Sequence, residues 1–117
     1  MISIEALFAV RFGHAGAPNP DRNGGVIVLE SGRLFGGDSW YAYTGHYSVA
    51  GANVTGQLHA VRHFQQPGTQ SAWGTQEAEF DVQFEVHVNY TFTEANGTIS
   101  RGSMALGAKL LRVAELP

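Results

Sequence analysis

The chain has 117 residues, no cysteine, seven Lys and Arg against ten Asp and Glu, and a formal charge of −3. That length supports one domain with its own core, and the missing cysteine excludes disulfides and thiolate chemistry. Singly scattered basic residues provide no stripe for a phosphate backbone, so direct nucleic-acid binding is not expected.

The first strand is read over residues 4–12, where Ile4, Ala6, Phe8, Val10 and Phe12 alternate with their neighbours. A strand at this position, with no basic start leading into an apolar block, reads as structure and not as a leader peptide; the expected location is cytoplasmic. A loop with Pro18 and Pro20 follows. Strands over 24–30 and 33–37 flank Ser31-Gly32, a two-residue hairpin signal. Gly36-Gly37-Asp38-Ser39 then turns the chain into a strand over 40–49. There Tyr41, Tyr43, Gly45, Tyr47 and Val49 share one face, opposite Trp40, Ala42, Thr44, His46 and Ser48.

Ala50-Gly51 marks a second hairpin into a strand over 53–63, and a longer loop carrying Pro67 and Trp73 comes next. From Glu79 to Thr93 the alternation is unbroken: Phe80, Val82, Phe84, Val86, Val88, Tyr90 and Phe92 face one way, with polar residues between them. The run over 78–94 is too long for one straight strand, so it bends sharply or is two strands joined at a kink near 89. Asn96-Gly97 is the strongest hairpin signal, and strands over 97–104 and 106–114 complete the chain. Helical periodicity is weak throughout, and fifteen glycines suit tight turns. Eight strands joined mostly by short turns predict an all-β fold, an eight-stranded antiparallel up-and-down barrel of the calycin or lipocalin type.

No catalytic constellation or metal site emerges. Asp38 and Ser39 after two glycines read as a turn held by side-chain bonds to backbone N–H groups, not as a nucleophilic site with His46. His59 and His63 lie about 13 Å apart on a strand, too far to grip one ion. Glu79, Asp81 and Glu85 form the wet face of the long strand. Inward positions offer a candidate ligand cavity, lined by Tyr41, Tyr43, Tyr47, Phe80, Phe84 and Tyr90. Gly45 and Gly56 leave space beside them for a fatty or lipid-like ligand. Trp40, Val61 and Leu7 interrupt outward polar faces, and Trp73 sits in a loop. Trp40, Val61 and Trp73 are the candidate partner or dimer interface, with Trp40 the leading anchor.

Several segments taken together carry a family likeness: Leu7-Phe8-Ala9-Val10-Arg11-Phe12, Gly25-Val26-Ile27-Val28-Leu29, Gly36-Gly37-Asp38-Ser39, Tyr43, Gly45-His46-Tyr47 and Val61-Arg62-His63. The pattern resembles the GrlR family, negative regulators of type III secretion in bacteria. The resemblance covers roughly the first 65 residues, with Ser71-Ala72-Trp73-Gly74 a weaker echo. It implies a lipocalin-like barrel, usually a homodimer, that binds a transcriptional activator and holds it inactive, with no catalysis; no cofactor is expected. An acidic turn linked to function in the best-known member would fall at Val49 to Asn53, where this chain has no acid. The expected function is thus sequestration of an activator; the alternative is a small-molecule or lipid carrier whose interior is the whole function.

Overall fold

Period-two alternation gives each strand one apolar face, and a sheet with such a face has to bury it against something. Here the sheet buries it against itself. The computed structural model describes residues 4–14, 23–64 and 78–117. Within them run β1 (Ala6–His14), β2 (Asn23–Glu30), β3 (Arg33–Asp38), β4 (Tyr41–Ala50), β5 (Asn53–Arg62), β6 (Glu79–Val88), β7 (Glu94–Arg101) and β8 (Met104–Glu115). Each pairs antiparallel with the next, and β8 pairs back onto β1, closing an eight-stranded up-and-down barrel. Closure leaves none of these strands as a free edge. Among the described residues no helix is long and apolar enough to cross a membrane.

The interior is built by the alternation read from the sequence. Phe8, Leu29, Val54, Val82, Val86 and Leu110 are all buried, and each aliphatic side chain removed from water contributes on the order of 1.5–3 kcal/mol. Among the described residues no buried side-chain nitrogen or oxygen lacks a hydrogen-bond partner.

The turns obey local chemistry. Ser31 and Gly32 both adopt positive φ, 51° and 80°, the pair that a two-residue turn with the twist of its flanking strands requires. The Ser31 N–H donates to the Glu5 carboxylate at 2.6 Å, tying this hairpin to the start of β1. In the next hairpin Ala50 pairs with Asn53, so the central residues are Gly51 and Ala52, one position beyond the expected pair.

The strongest sequence signal proves not to be a turn. Asn96 and Gly97 lie within β7, opposite His87 and Val86. The chain has already reversed at Asn89 to Thr93, because the Asn89 side chain closes a turn there. Its Oδ1 accepts the N–H groups of Thr93 at 2.9 Å and Glu94 at 3.1 Å, and its Nδ2 donates to Thr93 Oγ1 at 2.9 Å. Phe92 takes a left-handed φ of 58° and leans on the core. Gly97 serves a different purpose: a β-carbon there would stand 1.9 Å from the Glu85 carbonyl oxygen, so only glycine permits this approach of β7 to β6. The last hairpin turns at Gly102 and Ser103, with Gly102 at φ 60°, earlier than the boundary expected between 104 and 106.

Candidate functional site

Among the described residues the barrel interior is closely packed. About 30 Å³ remains free at its centre, bounded by Ile27, Leu34, Leu58, Phe84, Ile99 and Tyr43. This is room for about two water molecules, whereas sites for drug-sized ligands start near 300 Å³. Of the residues expected to line a ligand cavity, the fold brings Tyr43 and Phe84 to this space. Tyr41 and Phe80 are buried but pack on each other edge to face, with ring centroids 5.0 Å apart. Tyr47 is buried on β4.

Tyr90 is the clear correction, being 91% exposed. The alternation runs on through Tyr90 and Phe92 by coincidence, after the strand has ended at Val88 and the Asn89 turn has begun. The space expected beside Gly45 and Gly56 is also taken. A β-carbon on Gly45 would lie 2.1 Å from the Gln57 carbonyl oxygen, and one on Gly56 2.6 Å from the Phe84 ring.

Of the Gly36-Gly37-Asp38-Ser39 segment, expected as a structural turn, Gly36, Gly37 and Asp38 instead belong to β3, paired with β2, and the chain turns into β4 only at Ser39 and Trp40. A β-carbon on Gly36 would sit 2.1 Å from the Val26 carbonyl oxygen, which reserves the position for glycine. Asp38 fixes the start of β4. Its Oδ1 accepts the N–H groups of Trp40 at 2.8 Å and Tyr41 at 2.7 Å, and its Oδ2 accepts the Tyr43 hydroxyl. Burial pushes the Tyr43 hydroxyl far above the usual tyrosine range, and the nearby Asp38 carboxylate pushes in the same direction. His63 Nε2 sits 2.9 Å from the Asp38 backbone oxygen. His59 has other partners, Asp81 at 2.7 Å and Glu79 at 3.7 Å, so the two histidines serve separate contacts. His46 pairs with Arg33 at the start of β3, and Asp38 ends that strand. The separation of about 16 Å along the strand keeps them from acting together.

The outer wall has two unlike flanks. Along β6 the outward residues are Glu79, Asp81, Gln83, Glu85 and His87. Across β1 to β4 they are largely apolar: Leu7 stands opposite Val28 and Val28 opposite Phe35, while Ala9, Val26, Gly37 and Ala42 form the adjoining row. Val26 and Phe35 are 48% and 44% exposed. Val61, the expected interface residue on β5, continues the second row beside Ala42 and is exposed. Trp40 is half-buried and packs against the core at the β3–β4 turn, so it is less available as a surface anchor than its alternation implied. Trp73 lies outside the described residues. Val26, Val28 and Phe35 escaped the sequence reading, although a signal was present. Gly25 to Leu29 contains no polar residue, so both faces of that strand had to be apolar.

Neither a protein-family model nor a curated protein matches the chain.

Proposed function

We propose that the chain is a regulatory binding protein that holds a partner protein against its outer wall and performs no turnover. The observation that carries this reading is the apolar flank formed by Leu7, Val26, Val28 and Phe35, in contrast to the polar outward face of β6. A contiguous exposed apolar patch on a folded domain marks an interaction surface. The small cavity among the described residues favours this reading over the carrier alternative, because a fatty chain entering there would have to displace the side chains that line it. On the GrlR resemblance, the partner is a transcriptional activator, and a second copy of the chain forms a homodimer. Action is by mass balance: each activator molecule held on the barrel is withdrawn from DNA or from its own self-association.

The test is affinity purification from the native cytoplasm with the wild-type chain and with Phe35→Glu. The expected result is a DNA-binding activator recovered by the wild type and lost by the variant, with the circular dichroism of the barrel unchanged. Recovery of lipid alone, or equal recovery of the activator by both proteins, overturns the reading.

A further inference from the structure

On the polar flank two registered rows of side chains cross the barrel wall. In one, Gln57 stands opposite Gln83 and Gln83 opposite Ser100, with His46 extending the row onto β4. In the other, Thr55 stands opposite Glu85 and Glu85 opposite Thr98. The wall is concave here and forms a groove of about 560 Å³, within the 300–1,000 Å³ typical of small-ligand sites. Four adjacent strands make it roughly 14 Å across.

Several polar side chains elsewhere on this flank satisfy one another. His59 meets Asp81 at 2.7 Å, His87 meets Asn53 at 3.0 Å, and Glu94 meets Lys109 at 3.3 Å. In the groove such pairs are missing among the described residues. Gln57, Gln83, Thr55 and Thr98 make no side-chain hydrogen bond to any described residue, and neither do Glu85 and Ser100. Each amide presents two donors and a carbonyl acceptor, and each hydroxyl can do either. The groove therefore offers donors and acceptors side by side around a single carboxylate.

That inventory selects among ligand classes. Neither Lys nor Arg lines the groove, so a phosphate or sulfate would find no countercharge. An acyl chain would strip water from the amides and hydroxyls without replacing their hydrogen bonds. A ring bearing adjacent hydroxyls replaces them, each hydroxyl both giving and accepting. Its C–H face would meet the groove floor at Gly56 and Phe84, which also line it. We propose that this groove is a binding site for a neutral saccharide, held chiefly by Gln57, Gln83 and Glu85.

Heteronuclear NMR titration of the whole chain tests this with maltose, cellobiose, lactose and diacetylchitobiose, with inorganic phosphate and laurate as contrasting probes. The expected result is saturable shifts, for at least one disaccharide, in the side-chain amides of Gln57 and Gln83 and the backbone amide of Gly56. Affinity should fall at least tenfold in the Gln57→Ala, Gln83→Ala double variant, and Phe35→Glu should leave it unchanged. Both substitutions in the double variant are at exposed positions, so its spectrum should keep native dispersion. Absence of saturation with all four sugars, equal binding by the double variant, or groove shifts produced by phosphate or laurate instead overturns the proposal.

Discussion

The hydroxyl of Tyr43 on β4 donates to the carboxylate of Asp38 at the end of β3, while that carboxylate also accepts the Trp40 and Tyr41 N–H groups. One acid thus fixes the turn and satisfies a buried phenol. Asp38→Ala orphans all three donors and is expected to cost about 2–4 kcal/mol, from the 1–3 kcal/mol assigned to each unsatisfied buried group with partial relief by water. Tyr43→Phe removes donor and phenol together and should cost about 1–2 kcal/mol. Urea denaturation of both variants and of the double variant checks this, and a coupling energy near zero would contradict it.

Alkaline stability depends on the same pair. The folded-state pKa of Tyr43 is raised by burial and by Asp38, so above the ordinary tyrosine pKa of about 10 the unfolded chain releases a proton that the folded chain keeps. Stability from this group is complete below pH 10 and declines as pH rises further, by up to about 1.4 kcal/mol per pH unit. Denaturation curves from pH 9 to 11.5 should show a shallower decline for Tyr43→Phe than for the wild type.

On the acid side the sign is reversed. Glu94 has its pKa lowered by hydrogen bonds from Asn96 and Lys109 and by the Lys109 charge. Its contribution is present above the ordinary glutamate pKa and is lost as pH falls through the lowered folded value. Glu94→Gln should therefore differ from the wild type at pH 7 and converge with it in acid, and added salt at pH 7 should narrow the gap, as thermal melts can show.

Two glycine substitutions separate steric from conformational cost. Gly97→Ala drives a β-carbon into the Glu85 carbonyl oxygen and the strand beside it, whereas Gly51 at φ 63° has nothing within 4 Å of an added β-carbon. Gly51→Ala is expected to cost about 1–2 kcal/mol for the left-handed backbone. Gly97→Ala should cost more than that, since β6 and β7 must separate. Equal midpoints in urea would refute the distinction.

The barrel was legible because period two cannot be mistaken over β1, β4 and β6, and because Ser31-Gly32 has the backbone its sequence demands. The β6–β7 reversal was not, since Asn89 builds its turn through side-chain bonds to residues four and five positions on, and no dipeptide signal encodes that. Tyr90 was misplaced for the same reason. Burial of the inward tyrosines could be read from alternation, but the small free volume could not. It depends on how closely Gly45, Gly56 and Gly97 let neighbouring backbones approach, a property of strand curvature and not of composition. The oily flank was half visible in Leu7 and Val61, but the two adjoining rows that hold them, Leu7 with Val28 and Phe35, and Val61 with Ala42, Gly37 and Val26, are set by strand register and not by sequence alone.

The pairing of β1 with β8, Phe8 beside Arg112, brings together strands from opposite ends of the fold. Such a seam has high contact order and forms late, after the intervening hairpins have assembled. Until it does, two unsatisfied strand borders stay open to any other nascent copy, and mispairing between chains competes with the final stitch. Weakening this seam should slow maturation and promote aggregation well before it alters the finished molecule.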